Sequence, residues 1–304
     1  MTRAMGYLRG LPSQDDFHIG TEDTTAKLRA LGQPSVSEML ATLGIVPEVT
    51  DAGALPARSD LRGYFSPVED QGDIGSCTAH GVISLAEYFQ IRSFKSYTNL
   101  SRLFTYKMTR NMLGWRGDTG AFVRTAMGAL ALFGAPPEKF YPYVERNYDR
   151  EPSAFHCLLA QSFQATTYYR LDPIGVRAPD VLDRAKALLA AGLPCMFGFT
   201  AYESIGQANS MNAGAIPYPV RGERITGGHV LVTCGHDDEK RIINTRRGGQ
   251  ETVGAFRVRN SWGVNWGDDG YGWLPYDYIL AGLADDFWTL LQQEYVDSGQ
   301  FGLD

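Results

Sequence analysis

Cys77, His229 and Asn260 are residue types that together can transfer an acyl group: a thiol to attack a carbonyl, an imidazole to move its proton, and an amide to hold that imidazole in one tautomer. Cys77 closes the run Pro67-Val-Glu-Asp-Gln71-Gly-Asp-Ile-Gly-Ser-Cys77 and is followed by apolar residues at helical spacing, Val82, Ile83, Leu85, Ala86 and Phe89. That spacing predicts a helix beginning near Cys77. A helix start presents unpaired N–H groups and a partial positive charge, which favour thiolate and can receive an oxyanion. Gln71, just upstream across a glycine-containing turn, can bring a second donor to the same point. Taken alone, Cys77 also fits a small buried helix residue.

Five histidines are available as base. His18 and His156 read as structural or exposed, and His236, in Gly-His-Asp-Asp, as a solvated turn. His80 lies one helical turn after Cys77 and is the competing base. Because Cβ atoms tilt toward the helix N-terminus, it leans on Cys77 from behind. His229 opens an apolar strand behind Gly227 and Gly228, which leave room for a substrate backbone. Farther on, Phe256-Arg-Val-Arg-Asn260-Ser-Trp262-Gly-Val-Asn-Trp266-Gly-Asp-Asp-Gly270-Tyr271 ends a strand in an asparagine and two tryptophans. Asn260 can fix the imidazole, and Trp262 can shield that bond from water.

The elements that must position these residues run in two blocks. Helical spacing marks Leu100–Met112 and Ala121–Phe133, the latter ended by Gly134 and Pro136. Past about Gln161 come the strand-like runs Leu193–Thr200, Val230–Cys234 and Ala255–Asn260, with one further helix at Pro179–Ala191. Helices first and strands afterwards predict an α+β fold with two lobes. Residues 1–54 differ in texture, with few aromatics and one short helix candidate at Ser37–Leu43; motif-bearing sequence starts after Leu55-Pro56.

Of the 304 residues 44% are hydrophobic and 20% charged, an ordinary globular composition. The net charge of −6 gives no reason to expect nucleic-acid or anionic-membrane partners. Arg246-Arg247-Gly248-Gly249 reads as a solvated turn. No apolar stretch approaches the ~20 residues that span a bilayer, and the N-terminus lacks a signal-peptide apolar run. The expectation is a chain that stays in the cell, or one whose leader has been trimmed. Four cysteines do not make a disulfide scaffold. No clustered His/Cys spacing suggests a metal, and no cofactor is called for.

The Gln71-to-Cys77 run and the Asn-Ser-Trp-Gly-x-x-Trp-Gly-x-x-Gly-Tyr run closely resemble the active-site segments of the papain family of cysteine peptidases, with Gln71, Cys77, His229 and Asn260 in family order. The overall style is similar to bacterial members with a short leader. The resemblance covers about Leu55 to Tyr276. It implies a helical lobe (about 61–160), an antiparallel β-barrel-like lobe (about 161–280) with a C-terminal extension (281–304), and the active site in the groove between. It also implies a cysteine endopeptidase working through an acyl-thioenzyme, acting on peptides or proteins as a monomer. Gly120, Ala121, Phe122 and Val123 resemble the segment lining the main specificity pocket, and Gly227, Gly228, Trp262 and Trp266 join them as substrate-binding candidates.

Three departures from the family pattern stand out. Thr78 replaces the aromatic residue after the nucleophile, and Ile74 replaces a bridged cysteine. The interval from Cys77 to His229 exceeds the family's ~130–150 residues. The surplus is assigned to Tyr202–Thr226, expected near the cleft, and a second excursion to Asp237–Thr252. Residues 1–54 would precede the mature domain as a short propeptide that crosses or plugs the cleft, the alternatives being a permanent structural arm or a disordered leader. The same catalytic set would serve an amidase or acyl transferase, and a catalytically silent binding protein is the third reading.

Overall fold

Why the chain divides into two lobes is visible in how each block buries its apolar residues. The computed structural model describes residues 4–13, 16 and 55–295. The Ser37–Leu43 helix candidate and His18 lie outside them. A short strand β1 (Tyr7–Leu8) is followed by β2 (Arg58–Asp60) and then helix α1 (Cys77–Phe94). Most of α1 is buried on all sides, as expected of a helix apolar around its circumference, and it ends where Lys95 turns left-handed (φ 61°).

Helix α2 (Arg102–Met112) begins two residues inside the predicted span because Ser101 caps it, its hydroxyl accepting from Phe104 N at 3.1 Å. Residues predicted as the start of the next helix, Ala121 and Phe122, instead form strand β3, and α3 runs Val123–Phe133. Gly134 ends it at φ 72°, where an added Cβ would fall 1.9 Å from the Ala160 carbonyl oxygen, so only glycine fits. Helix α4 (Ala154–Ala160) carries His156, whose Nδ1 accepts from Ser153 N in a reciprocal cap.

The second block is a mainly β layer: β4 (Phe163–Arg170), α5 (Ala178–Ala190), β5 (Met196–Tyr202), β6 (Ile225–Ile243), β7 (Glu251–Arg259), β8 (Tyr271–Pro275), α6 (Tyr276–Leu280) and β9 (Ala284–Tyr295). The sheet runs β4-β9-β5-β6-β7-β8, with β2 added to β6, and every pairing in it is antiparallel. Two expectations change here. Among the described residues β4 and β8 do not pair, so the sheet is open rather than a closed barrel. The stretch read as an extension past residue 281 supplies β9, which sits inside the sheet between β4 and β5.

The second excursion is also strand. β6 and β7 continue as a hairpin beyond the core, closed by the exposed turn Arg246–Gly249. His236 lies in that ladder, buried, with its ring held by Ser59 Oγ (2.7 Å) and the Pro56 carbonyl (2.8 Å), and is not a solvated turn. The unbroken charged run Asp237–Arg241 that follows it hid the strand.

The apolar residues separate into clusters that match the lobes. One packs α5 and α6 on the sheet, around Phe197, Phe199, Leu231, Phe256 and Phe287. Another fills the helical lobe around Phe104, Tyr106 and Tyr141. A third lies where α1 and α3 meet β5, β6 and β9, and it holds Cys77 together with Val82, Met196, Val230, Trp288 and, from the N-terminal arm, Tyr7.

Candidate active site

The site is built where the start of α1 faces the sheet. Cys77 is the first helical residue, so the amides of the first turn have no partner within the helix. Ser76, the cap residue, does not turn its hydroxyl back onto that turn; its Oγ pairs with Tyr143 Oη at 2.6 Å. The first-turn amides therefore stay available to a ligand. The turn before the helix is pinned by Asp118, which accepts from Gly75 N (2.9 Å) and from Tyr106 Oη (2.5 Å).

His229 comes from β6, and Asn260 directly follows β7. Asn260 is held in place by its neighbour: Arg259 is buried and donates to the carbonyl oxygens of Ser66 and Pro67, both at 2.6 Å, reaching from the sheet to the helical side. His229 Nε2 lies 2.8 Å from Asn260 Oδ1. The same Oδ1 accepts from Ser261 N at 2.8 Å. An amide oxygen only accepts, so Nε2 carries the proton and Nδ1 is left with its lone pair. Nδ1 has no hydrogen-bond partner among the described residues. Trp262 stacks on the imidazole (4.7 Å, 27°) and Trp266 meets Trp262 edge-on (5.7 Å), so both tryptophans screen the His–Asn bond from water.

Gln71 donates from Nε2 to the carbonyl oxygens of Ile74 (2.9 Å) and Ala4 (3.1 Å). Its Oε1 accepts from Ser261 Oγ at 2.6 Å, which fixes which way the amide points. Ser261 thus ties the histidine's partner to the glutamine. Sequence reasoning missed that role, although the residue sits inside the Asn-Ser-Trp run.

His80, expected to compete as base, is buried one helical turn after Cys77. Its Nδ1 faces the Ser76 carbonyl (3.1 Å) and its ring meets Tyr143 edge-on. Burial, reinforced by the Arg102 charge, pulls its pKa down to about 3. Thr78 and Ile74, where the sequence departs from the family pattern, are both buried.

The arm of residues 4–13 lies across this site. The Ala4 carbonyl takes the Gln71 donor, and hydrogen bonding from the Gly6 backbone reaches the Cys77 thiol. Gly6 O accepts from Ala121 N at 2.8 Å, and Tyr7–Leu8 pair in parallel with Ala121–Phe122. A Cβ on Gly120 would fall 2.2 Å from Gly6 O, and one on Gly228 2.5 Å from Tyr7 O. Met5 packs beside Gly227 and against Thr226, the end of the first excursion. Val123 is buried in the cluster that also holds Cys77 and Tyr7.

Burial dominates the titration of this closed site. It pushes the Cys77 thiol up to about 11, against backbone hydrogen bonds from Gly6, Val230, Thr78 and Cys77 itself. It pulls His229 down to about 4, against the Asn260 hydrogen bond. Thiol and imidazole are therefore both neutral at neutral pH. All four cysteines are free thiols, and Cys195 and Cys234 are buried in the sheet. No helix among the described residues is long and apolar enough to cross a membrane.

A helical lobe and an antiparallel sheet with cysteine, histidine, asparagine and glutamine gathered between them define the papain family of cysteine proteases. Residues 55–286 match the model of that family, and the chain belongs to it: it is a cysteine-type peptidase, a hydrolase. It is similar in structure to xylellain, a cysteine protease from Xylella fastidiosa, with 32% identity and a TM-score of 0.71, covering 95% of this chain and 96% of that one. In sequence it is 28% identical to an uncharacterized peptidase C1-like protein of Acanthamoeba polyphaga mimivirus, over 98% of this chain and 89% of the relative. It is 23% identical to the oryzain gamma chain of Oryza sativa subsp. japonica, over 91% and 70%.

Proposed function

We propose that the chain is a cysteine endopeptidase in which Cys77 is the nucleophile, His229 the base and acid, Asn260 its orienter and Gln71 an oxyanion donor. The observation that carries this reading is the paired acceptance at Asn260 Oδ1, from His229 Nε2 and Ser261 N, which leaves the Nδ1 lone pair to take up a proton. His229 Nδ1 takes the thiol proton as sulfur attacks the peptide carbonyl. The carbonyl oxygen becomes an oxyanion held by Gln71 Nε2 and the α1 first turn. When the tetrahedral intermediate collapses, the C–N bond breaks and His229 returns the proton to the departing amine. Water, deprotonated by the same imidazole, then splits the thioester and frees the thiol.

The arm supports a zymogen. It occupies the Gln71 donor with one residue, Ala4, and reaches the thiol with another, Gly6, so a peptide substrate would have to displace it to take either place.

An epoxysuccinyl inhibitor tests the chemistry. Cys77 is expected to be labelled once the arm is displaced, and Cys77→Ala is expected to lose labelling and hydrolysis together. Label appearing on another cysteine, or none, would sink the assignment. Supplying an amine acceptor separates hydrolysis from acyl transfer: aminolysis products outweighing hydrolysis would favour the transferase reading. Mass spectrometry of the active form decides how the arm leaves, since a fully active chain that keeps Met1 rejects removal in favour of displacement.

A further inference from the structure

The side chain that the arm sends deepest into the molecule is Tyr7. It is buried in the cluster that holds Cys77, Met196, Val230 and Trp288, next to the residue whose amide faces the sulfur. Its place exists because two neighbouring strands carry glycine there. A Cβ on Gly198 would fall 1.9 Å from the Tyr7 ring Cζ, and one on Gly228 3.0 Å from Cδ1. Glycine in the interior of a strand weakens it, and Gly198 and Gly228 lie on the sheet face that Met196, Val230 and Val232 make apolar. The gap is thus kept for something other than sheet packing.

At its far end the pocket is polar. Tyr7 Oη donates to Asp285 Oδ1 at 2.9 Å, and Arg9 Nε pairs with the other oxygen of that carboxylate from the exposed side. Once the arm leaves, Asp285 loses both partners while the pocket remains beside the thiol. A carboxylate at the end of an apolar slot as long as a phenol ring rewards a ring bearing a para-hydroxyl. A ring without it leaves the acceptor unpaired.

We infer that the Tyr7 pocket is a substrate side-chain pocket whose shape is set by Gly198 and Gly228 and whose selecting residue is Asp285, so that the enzyme prefers a tyrosine in its peptide substrates over phenylalanine at that position. The inference rests on the zymogen reading, because it takes the arm as the stand-in for a bound peptide.

The test uses the full-length chain carrying Gly6→Val, a change that sets the arm against the Gly75 carbonyl oxygen and alters no residue of the pocket wall or of the catalytic set. Peptides carry Tyr, Phe or Ala at each of the three residues before the scissile bond in turn. The expected result is a kcat/KM about tenfold higher for Tyr than Phe at one position, the value of one hydrogen bond to a charged acceptor. Adding Asp285→Ala should bring that ratio close to one. Gly198→Ala should depress Tyr and Phe peptides together while the Ala peptide keeps its rate. A Tyr-to-Phe ratio near one in the Gly6→Val chain, or one that survives Asp285→Ala, overturns the proposal. Failure to cleave any peptide does so as well, and Cys77 labelling by the epoxysuccinyl inhibitor then separates a fault in the pocket from a fault in the catalytic reading. If Gly6→Val does not raise activity over the parent chain yet the tyrosine preference is present, the zymogen reading falls and the pocket stands.

Discussion

Ser261 does more for the site than its size suggests. Its amide fixes the acceptor face of Asn260 and its hydroxyl fixes the acceptor end of Gln71, so one residue sets both the His229 tautomer and the direction of the Gln71 amide. Ser261→Ala keeps the amide and loses only the hydroxyl, freeing the Gln71 side chain to rotate. The expected effect is a fall in kcat of about tenfold with little change in KM. Gln71→Ala should cost about 10²–10³ in kcat. If Ser261 acts through Gln71, the double variant should be no worse than Gln71→Ala alone; additive losses would show that the hydroxyl works elsewhere.

Cys77 supplies a second prediction at this scale. In the closed form the thiol, at about 11, is protonated at neutral pH and gains reactivity only as pH climbs toward that value. Displacing the arm removes the Gly6 hydrogen bond, which lowers the pKa, but also ends the burial, which raises it by more, so the net shift is downward. Iodoacetamide alkylation followed by mass spectrometry is expected to show the Gly6→Val chain modified at pH 7 to 8 under conditions where the parent chain resists. Equal rates with coincident pH profiles would contradict arm-controlled thiol ionisation.

At the scale of elements, the arm and the strand edge Ala121–Phe122 form the gate. Gly6 is a point where backbone meets backbone: a Cβ there would lie 1.9 Å from the Gly75 carbonyl oxygen, in a residue whose amide Asp118 holds in place. Neither side can yield cheaply. Full-length Gly6→Val should therefore hydrolyse a reference peptide faster than the parent, by about tenfold or more if a clash of one to a few kcal/mol falls on the closed form alone. An unchanged initial rate would remove Gly6 from the closure.

The same scale shows what sequence could convey. Helix α1 and its start at Cys77 were legible because the apolar spacing and the Gly-Ser-Cys turn agreed, although Ser76 holds the cap position without a side-chain bond to the first turn. Strand β9 was not, because Asp285 and Asp286 stand at its start, and their partners, Tyr7, Arg9 and Arg170, come from distant parts of the chain. The β6 hairpin was cut short for a related reason. Asp237-Asp238-Glu239-Lys240-Arg241 is an unbroken charged run across which the register against β7 slips, and only pairing with β7 reveals it as strand. Cys77, His229, Asn260 and Gln71 could be named from local motifs; Ser261, Gly198 and Asp285 gain their meaning from contacts that no local pattern encodes.

Across the whole molecule, the lobes are joined by a buried charged seam. Glu87 on α1 accepts from Arg102 (2.9 Å), Ser66 Oγ (2.5 Å) and Leu100 N (3.0 Å), while Arg259 reaches back to Ser66 and Pro67. His80 lies within this electrostatic surrounding, and Arg102 and Arg259 both disfavour its charged form, after burial itself. An imidazole held near 3 when folded and near 6.5 when unfolded contributes its full stability above about pH 6.5. As pH falls from 6.5 toward 3, the unfolded chain takes up a proton that the folded chain refuses, so this contribution is lost. The Asp286 and Glu138 carboxyls, both pushed up to about 7 by burial, take up protons in the folded state over the same range and offset part of that loss. The parent chain's Tm therefore reports a difference of opposing contributions. A variant isolates one of them. His80→Gln removes the imidazole while keeping a polar side chain, and its Tm should fall less steeply than the parent's between pH 6.5 and 4, even though it starts lower at pH 8 for want of the Ser76 contact. Parallel Tm profiles from differential scanning calorimetry would mean that His80 charges in the folded protein, and that the helix start behind Cys77 admits water.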